Sequence, residues 1–394
     1  MTYRTARIKQ SLEQIGISPL VLLGRLIGLF YKMPNPGGYF FIYPNRDTGG
    51  SYKVNADLAA LVKDKKPLLI FTKHERNGGF RHLFEIEGVR ILDISKHVDN
   101  KYYHFINIIW RGIIASWIGR CEKPVMLGGE CIYFYKLLPH VKKQTHCVEL
   151  CHVNKWIDYT QAFIPFIDLR IFSTQKIKRD VEKQYQENNI PAKYEGRLMF
   201  IDNKIEIPEA YDPENEHLQV LFVGRGHPQK RVHLVAAIAK AVRQDNPHIN
   251  FTLVGDVLEI VPDDVKPLVT IRTDINKAEQ LQPLYRSHDV LILTSLFEGL
   301  PIVVMDMMAQ GRVVLSTAVD GIPDYIHHLE NGLLIQEVKD EKIIVEEGVC
   351  LIEMLDKDKA LLKKLSANAR AFALAHFSSE VFDRSYKEAL HYLP

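Results

Sequence analysis

Short apolar runs recur along the chain at 38–43, 68–71, 89–92, 125–127, 145–150, 169–172 and 198–201. After a polar gap they resume at 219–223, 251–255, 269–271, 290–293, 313–316 and 333–335. Runs of this length, bounded by polar residues, glycine or proline, have the signature of strands buried on both faces. Between them lie stretches with apolar residues at helical spacing, at 54–62, 102–118, 176–186 and 234–242. Val303, Val304, Met305, Met307, Met308 and Ala309 continue that spacing after the 290–293 run. Strand and helix alternate through both halves, which predicts parallel sheets joined by crossover helices. The expected fold is α/β, with two doubly wound Rossmann-like domains facing a central cleft. The polar segment 202–217, with Pro208 and Pro213, interrupts the alternation. It divides an N-terminal domain, 36–210, from a C-terminal one, 211–376. A last helix, 377–394, is expected after the capping candidates Ser378 and Ser379.

Residues 1–35 follow neither pattern. Arg4, Arg7, Lys9, Arg25 and Lys32 stand against Glu13 alone. The apolar stretch 19–31 is broken by Gly24, Arg25 and Gly28. It reads as too short and too interrupted to cross a bilayer, which takes about 20 apolar residues. Two readings stay open. A basic, apolar helix can lie in a membrane interface; it can equally dock on its own domain or on a partner. No small-residue cleavage site follows an apolar core here, so no removable signal segment is expected.

Composition narrows the rest. The chain has 394 residues, 46% apolar and 25% charged, enough for two ordinary globular domains. A net charge of +2 gives no basic field for nucleic acid. The five cysteines, at 121, 131, 147, 151 and 350, form no paired framework and fit a reducing compartment. His146, Cys147, Cys151 and His152 cluster, but C-x-x-C spacing is absent. Buried thiols beside a strand end are favoured over a metal site.

The candidate chemistry lies on strand exits, because open α/β sheets bind ligands beyond the carboxyl ends of their strands. The exit after 290–293 carries Glu298, Gly299, Leu300, Pro301, Ile302 and Asp306. Glycine and proline shape the turn, and a helix should begin at or just after Pro301. Its free N–H groups would face an anion. A carboxylate beside an anion is unfavourable, so Glu298 is expected to face ligand hydroxyls or developing positive charge. The competing reading is an acid favoured by the helix macrodipole alone. The exit after 219–223 carries Gly224, Arg225, Gly226, Lys230 and Arg231. It matches neither a P-loop nor a dinucleotide fingerprint. Three cations on a turn suit a diphosphate, with arginine for bidentate contact and lysine as a point charge; a solvated basic turn is the plainer alternative. A third exit holds Asp320, Gly321, Pro323 and Asp324. In the N-terminal half, Gly49 and Gly50 follow the first run, a polar stretch covers 73–79, Glu130 follows Gly128 and Gly129, and His152 follows 145–150.

Gly224, Arg225 and Lys230, then Glu298 through Pro301 with an acid at 306, then Asp320 to Asp324 and Asn331-Gly332-Leu333, resemble the retaining nucleotide-sugar glycosyltransferases of family 4. The resemblance is specific over 219–336, looser over 36–210, and absent over 1–35. It implies the GT-B fold and transfer of a sugar from a UDP- or GDP-linked donor, without metal or cofactor, to a glycan or lipid-linked acceptor in polysaccharide biosynthesis. It further implies a cytoplasmic enzyme; the basic, apolar character of residues 1–35 makes that segment the candidate contact to the inner face of the membrane. By the same resemblance, Arg225 and Lys230 bind the diphosphate, Glu298 sits near the donor sugar, and Asp306 takes the place of the acid that holds the ribose. His152 looks like the histidine that reaches the donor sugar, and Gly49 and Gly50 like the loop under phosphate or acceptor. Asp306 replaces the usual Glu, while Arg231 and Asp320 replace common glycines. Retaining hydrolysis uses two carboxylates about 5 Å apart. No second carboxylate is evident here, which favours same-face displacement with the diphosphate taking the acceptor proton. A non-catalytic donor-binding subunit and a sugar-nucleotide epimerase are the alternatives.

Overall fold

A computed structural model describes residues 2–34, 37–47, 50–76, 78–100, 104–152, 157–211, 215–275 and 280–391. The chain divides into two compact units, Met1–Asn203 with Asp383–Pro394, and Lys204–Phe382. The division falls between Asn203 and Lys204, at the start of the polar 202–217 segment. The first 35 residues belong to the first unit.

All thirteen apolar runs form strands, with ends shifted by a residue or so. In the first unit these are β1 (Tyr39–Tyr43), β2 (Leu68–Phe71), β3 (Arg90–Asp93), β4 (Val125–Gly128), β5 (His146–Cys151), β6 (Leu169–Phe172) and β7 (Leu198–Phe200). They pair in the order β3-β2-β1-β4-β5-β6-β7. The second unit holds β8 (Gln219–Val223), β9 (Asn250–Val254), β10 (Thr270–Arg272), β11 (Val290–Leu293), β12 (Val313–Thr317) and β13 (Leu333–Ile335), in the order β10-β9-β8-β11-β12-β13. Every pairing is parallel. Both orders reverse direction once, between β1 and β4 and between β8 and β11. That switch point opens the crevice where such sheets bind ligands. Central strands such as β1, β2, β4 and β11 are buried throughout, while the edge strand β3 is largely exposed.

The N-terminal segment corrects the sequence reading. It is one continuous helix, Tyr3–Phe30, of 28 residues. At 1.5 Å per residue that is about 42 Å, and by length and composition it could cross a membrane. Gly24 and Gly28, taken as interruptions, are instead points of close packing on the helix His104–Ile118. A Cβ at Gly24 would lie 2.1 Å from the Ile109 carbonyl oxygen, and one at Gly112 2.2 Å from that of Val21. Pro19 lies within the helix without ending it. The Ser18 hydroxyl donates to the Ile15 carbonyl at 2.8 Å, the acceptor that the proline lacks an N–H to serve. The last helix begins later than expected. Phe377 closes the helix Lys359–Phe377, and Ser379–Ala389 follows.

Candidate active site

The exits of β8 and β11 meet within the second unit. The chain leaves β8 through Gly224 and Arg225 and turns at Pro228–Lys230 into the helix Val232–Asp245. The Gln229 side chain donates to the Phe297 carbonyl at 2.8 Å, and the Leu296 N–H to the Gln229 carbonyl at 2.8 Å. Thr294 Oγ1 bonds the carbonyl of Arg231 at 3.0 Å. The two turns are therefore joined by one backbone bond and two from side chains.

Lys230 Nζ donates to Glu298 Oε1 in an ion pair whose side chains are 14% and 8% exposed. Ser295 Oγ donates to the same oxygen at 2.6 Å. This orients the Glu298 carboxylate, and Asp320 Oδ2 accepts the Glu298 N–H at 3.0 Å. The helix Ile302–Ala309 begins one residue after Pro301, which is its N-cap and supplies no side-chain bond. Its first N–H groups lack intrahelical partners. A Cβ at Gly299 would meet nothing within 4 Å, so backbone is open to a ligand there. Leu300 belongs to the same turn, and Ile302 is exposed at the helix start. Asp306, one turn on, is half-buried, and burial pushes its carboxyl up to about 6. Among the described residues no hydrogen bond or ion pair engages it. Arg225 is exposed, and its guanidinium likewise has no internal partner.

Arg231 corrects the expectation of three ligand-facing cations. It is 5% exposed. Its guanidinium donates to the carbonyls of Thr294 at 2.6 Å, Ser295 at 3.0 Å and Val338 at 2.9 Å. It clamps the turns and faces no ligand. Its φ of +45° lies in the left-handed region, as does the +46° of Asp320. Both positions that replace common glycines are those where glycine is least strained.

The exits of β1, β2, β4 and β5 line a polar cavity of about 570 Å³ in the first unit. Asp47, Tyr52, Lys73, Arg76, Glu130 and His152 face it. Asp47 accepts the N–H groups of Arg76 at 2.9 Å and Gly78 at 3.1 Å. Glu130, at φ +50°, accepts the His152 N–H at 2.8 Å. His152 Nε2 is buried without a partner among the described residues, and burial lowers the imidazole to about 4, so the ring is neutral at pH 7. Gly50 is the first residue of the helix Gly50–Leu61; Gly49 lies outside the described residues. Cys147 and Cys151 are buried, and burial raises both thiols.

Sequence reasoning missed Ser295, Gln229 and Thr294 as the residues that hold Glu298 and join the turns. Ser295 stands three residues before Glu298 at a strand end, a position from which a hydroxyl can reach back to a turn.

Residues 217–354 match the family model described as Glycosyl transferases group 1. The match lies within the second unit. The chain is 27% identical over 256 residues to the N-acetyl-alpha-D-glucosaminyl L-malate synthase of Bacillus anthracis, covering 63% of this chain and 56% of that protein. It is 27% identical over 187 residues to a Campylobacter jejuni enzyme, the GalNAc-alpha-(1->4)-GalNAc-alpha-(1->3)-diNAcBac-PP-undecaprenol alpha-1,4-N-acetyl-D-galactosaminyltransferase, covering 45% of this chain and 50% of that one. The chain spans about half the length of the curated relatives it matches. The crystal structure of Anabaena HepE in complex with UDP superposes with a TM-score of 0.66 at 14% identity, covering 90% of this chain and all of that one. That likeness is one of fold, the GT-B architecture of two parallel-sheet α/β units.

Proposed function

We propose that the protein moves a sugar from a nucleotide diphosphate sugar to a glycan or lipid-linked acceptor, with retention at the anomeric carbon and without a metal. The observation that carries the reading is the Lys230–Glu298–Ser295 cluster, set beside an uncapped helix N-terminus and the unengaged Asp306. Breaking a glycosyl phosphate bond builds negative charge on phosphate and positive charge on the sugar. Lys230, Arg225 and the helix N–H groups stabilise the first. Glu298 stabilises the second, or binds a sugar hydroxyl. Asp306 accepts the ribose hydroxyls. The acceptor attacks from the face the nucleotide leaves, and a diphosphate oxygen takes its proton.

The N-terminal cavity, with the neutral His152 on its wall, suits a polyhydroxylated acceptor end or the donor sugar. The UDP in HepE supports a diphosphate donor, and the undecaprenol-linked substrate in the Campylobacter enzyme's name supports a lipid-linked acceptor. With that acceptor the enzyme works from the cytoplasm as a peripheral membrane protein, held through residues 1–35.

Thermal shift against UDP-, GDP- and ADP-sugars should single out one nucleotide. With that donor, slow release of free nucleoside diphosphate should persist in EDTA and vanish in Arg225→Ala and Lys230→Ala. NMR of the first-formed product should show the anomeric configuration of the donor. Tight donor binding with no turnover across an acceptor panel would instead mark a donor-binding subunit, a reading that the shorter Asp306 side chain favours.

A further inference from the structure

The N-terminal helix presents two further surfaces besides the face packed on His104–Ile118. One is an apolar stripe. Ile8, Leu12, Ile15, Leu22, Leu26 and Phe30 recur at helical spacing and are all exposed, Ile15 by 71% and Phe30 by 90%. The charged residues exposed on this helix, Arg4, Lys9 and Arg25, are all cations. Its one acid, Glu13, is tied to Lys136. The second surface is a groove of about 760 Å³ between the helix and Pro139, His140 and Phe166. Arg7, Gln10, Gln14, Ser18 and Arg25 face it from the helix, and among the described residues no carboxylate lines it.

The groove holds polar atoms in need of a partner. Gln10 is 4% exposed and His140 7%. Among the described residues, Gln10 Nε2, Gln14 Nε2 and His140 Nε2 are buried with no hydrogen-bond partner. Gln10 Oε1 already accepts from Arg7 Nη1 at 2.9 Å, so the amide group that remains is a donor. Arg7 and Arg25 are held by the carbonyls of Ala162 and His140, both at 2.7 Å, and each guanidinium keeps further N–H groups. Leaving buried donors unmade is costly. Burial lowers His140 to about 4, with Arg111 and Arg25 adding to the effect, so the groove's positive charge rests on the two arginines.

We infer that this groove takes the phosphate headgroup of an anionic bilayer lipid, while the apolar stripe beside it lies among the acyl chains. Ile15, Pro19 and Leu22 line the groove and border the stripe, so one lipid could touch both surfaces. A free anion would leave the stripe in water. The opposite face meets His104–Ile118 backbone to backbone, so the helix lies along the membrane and does not cross it. The inference deepens the peripheral placement proposed above and rests on it.

The test is co-sedimentation of the full chain with vesicles of phosphatidylcholine alone or mixed with phosphatidylglycerol. Binding should need the anionic lipid. Arg25→Gln should weaken it by about fivefold, the effect of one cation near an anionic surface, and Gln10→Leu should reduce the preference for the anionic lipid. Ile15→Glu should abolish binding to both vesicle types. Circular dichroism establishes that each variant is folded. Equal binding to the two vesicle types, or an unchanged lipid preference in Gln10→Leu, overturns the headgroup site. So does stabilisation of the wild type by inorganic phosphate alone that Gln10→Leu removes, which would mark a free-anion site. Absence of wild-type binding overturns the membrane surface too, and a dimer by light scattering would then assign the stripe to a second copy. Nucleoside diphosphate release without vesicles should be unchanged in Arg25→Gln. Its absence from the wild type would count against the transferase reading and leave vesicle binding to be judged by itself.

Discussion

Each unit contains a carboxylate–cation pair with little access to solvent, and the two pairs have opposite uses. In the first, Glu149 on β5 and Arg170 on β6 are register partners in adjacent strands. Their side chains are 1% and 4% exposed. Tyr135 donates to Glu149 at 2.6 Å, and Arg170 donates to the Tyr185 hydroxyl at 2.9 Å. In the second, Lys230 and Glu298 stand on turns beyond β8 and β11, with one hydroxyl as support. The first pair is closed by tyrosines inside a sheet, where no ligand can enter. The second lies next to open backbone and an uncapped helix. The same two charge types are sealed in between strands and left beside open backbone beyond their ends.

The largest effect should come from breaking the sealed pair. Glu149→Ala leaves Arg170 charged and buried, and should cost about 3–5 kcal/mol of stability. Replacing both partners, Glu149→Leu with Arg170→Met, should recover most of that loss, because the desolvation penalty disappears with the charges. Denaturant midpoints measure both. An equally unstable double variant would show that the pair contributes more than mutual neutralisation.

The pair at the strand exits should respond in the other direction. Lys230→Ala should lower transfer by about 10²–10³-fold, the usual effect of removing one preorganised electrostatic contact. Arg225→Ala should also lower transfer, yet leave the melting temperature unchanged, because its guanidinium has no internal partner. A stability loss in Arg225→Ala comparable to that of Lys230→Ala would erase the distinction between the two cations. Steady-state kinetics beside thermal melts separate the outcomes.

The contrast also explains what was legible in the sequence. All thirteen strands could be read, because a strand buried on both faces is a plain apolar run. Glu298 and Lys230 could be read, because glycine and proline mark the turns that carry them. The Glu149–Arg170 pair could not, since each residue interrupts an apolar run that predicts a strand anyway, and its partner lies on another strand. Arg231 was misassigned for a related reason. A cation on a glycine-rich turn reads as ligand-facing until the backbone angle turns it inward to three carbonyls. The glycines at 24 and 28 misled as well, since a glycine that breaks a helix and one that lets two helices touch look alike in a single chain.

Asp306 tests the donor site through pH. Burial raises its carboxyl to about 6, so the folded state favours the protonated form. Its contribution to stability is fully present below the ordinary carboxylate value near 4 and is lost as pH rises through about 6. A shift of two units corresponds to about 3 kcal/mol, so Asp306→Asn should be more stable than wild type at about pH 8 and no more stable at about pH 4. Ribose hydroxyls donate to the ionised form. Nucleotide affinity should therefore rise by up to about tenfold per pH unit below 6 and level off above it, and Asp306→Asn should flatten that profile. Tyr285, whose buried hydroxyl has no partner among the described residues and whose ionisation is suppressed by burial and by the charge of Asp306, lies within electrostatic reach and is the natural second variant. Calorimetric titration across pH 5–8 decides the matter, and a flat wild-type profile would remove Asp306 from the ribose.

The smallest effect concerns the clamp between the two turns. Arg231→Gly relieves a left-handed backbone, worth about 1 kcal/mol, but gives up three bonds from a charged donor to buried carbonyls. Each such bond contributes about 1.5–3 kcal/mol in isolation, and water entering the vacated space recovers part of it. The loss should be larger in Arg231→Ala, which keeps the strain and loses the bonds, than in Arg231→Gly, by about 1 kcal/mol. The ordering of the two variants matters more than either value. If Arg231→Gly melts above wild type, the strain outweighs the clamp, and the turns are held by Gln229, Leu296 and Thr294 alone. If it melts between wild type and Arg231→Ala while transfer falls with it, the guanidinium is what keeps Lys230 and Glu298 in register.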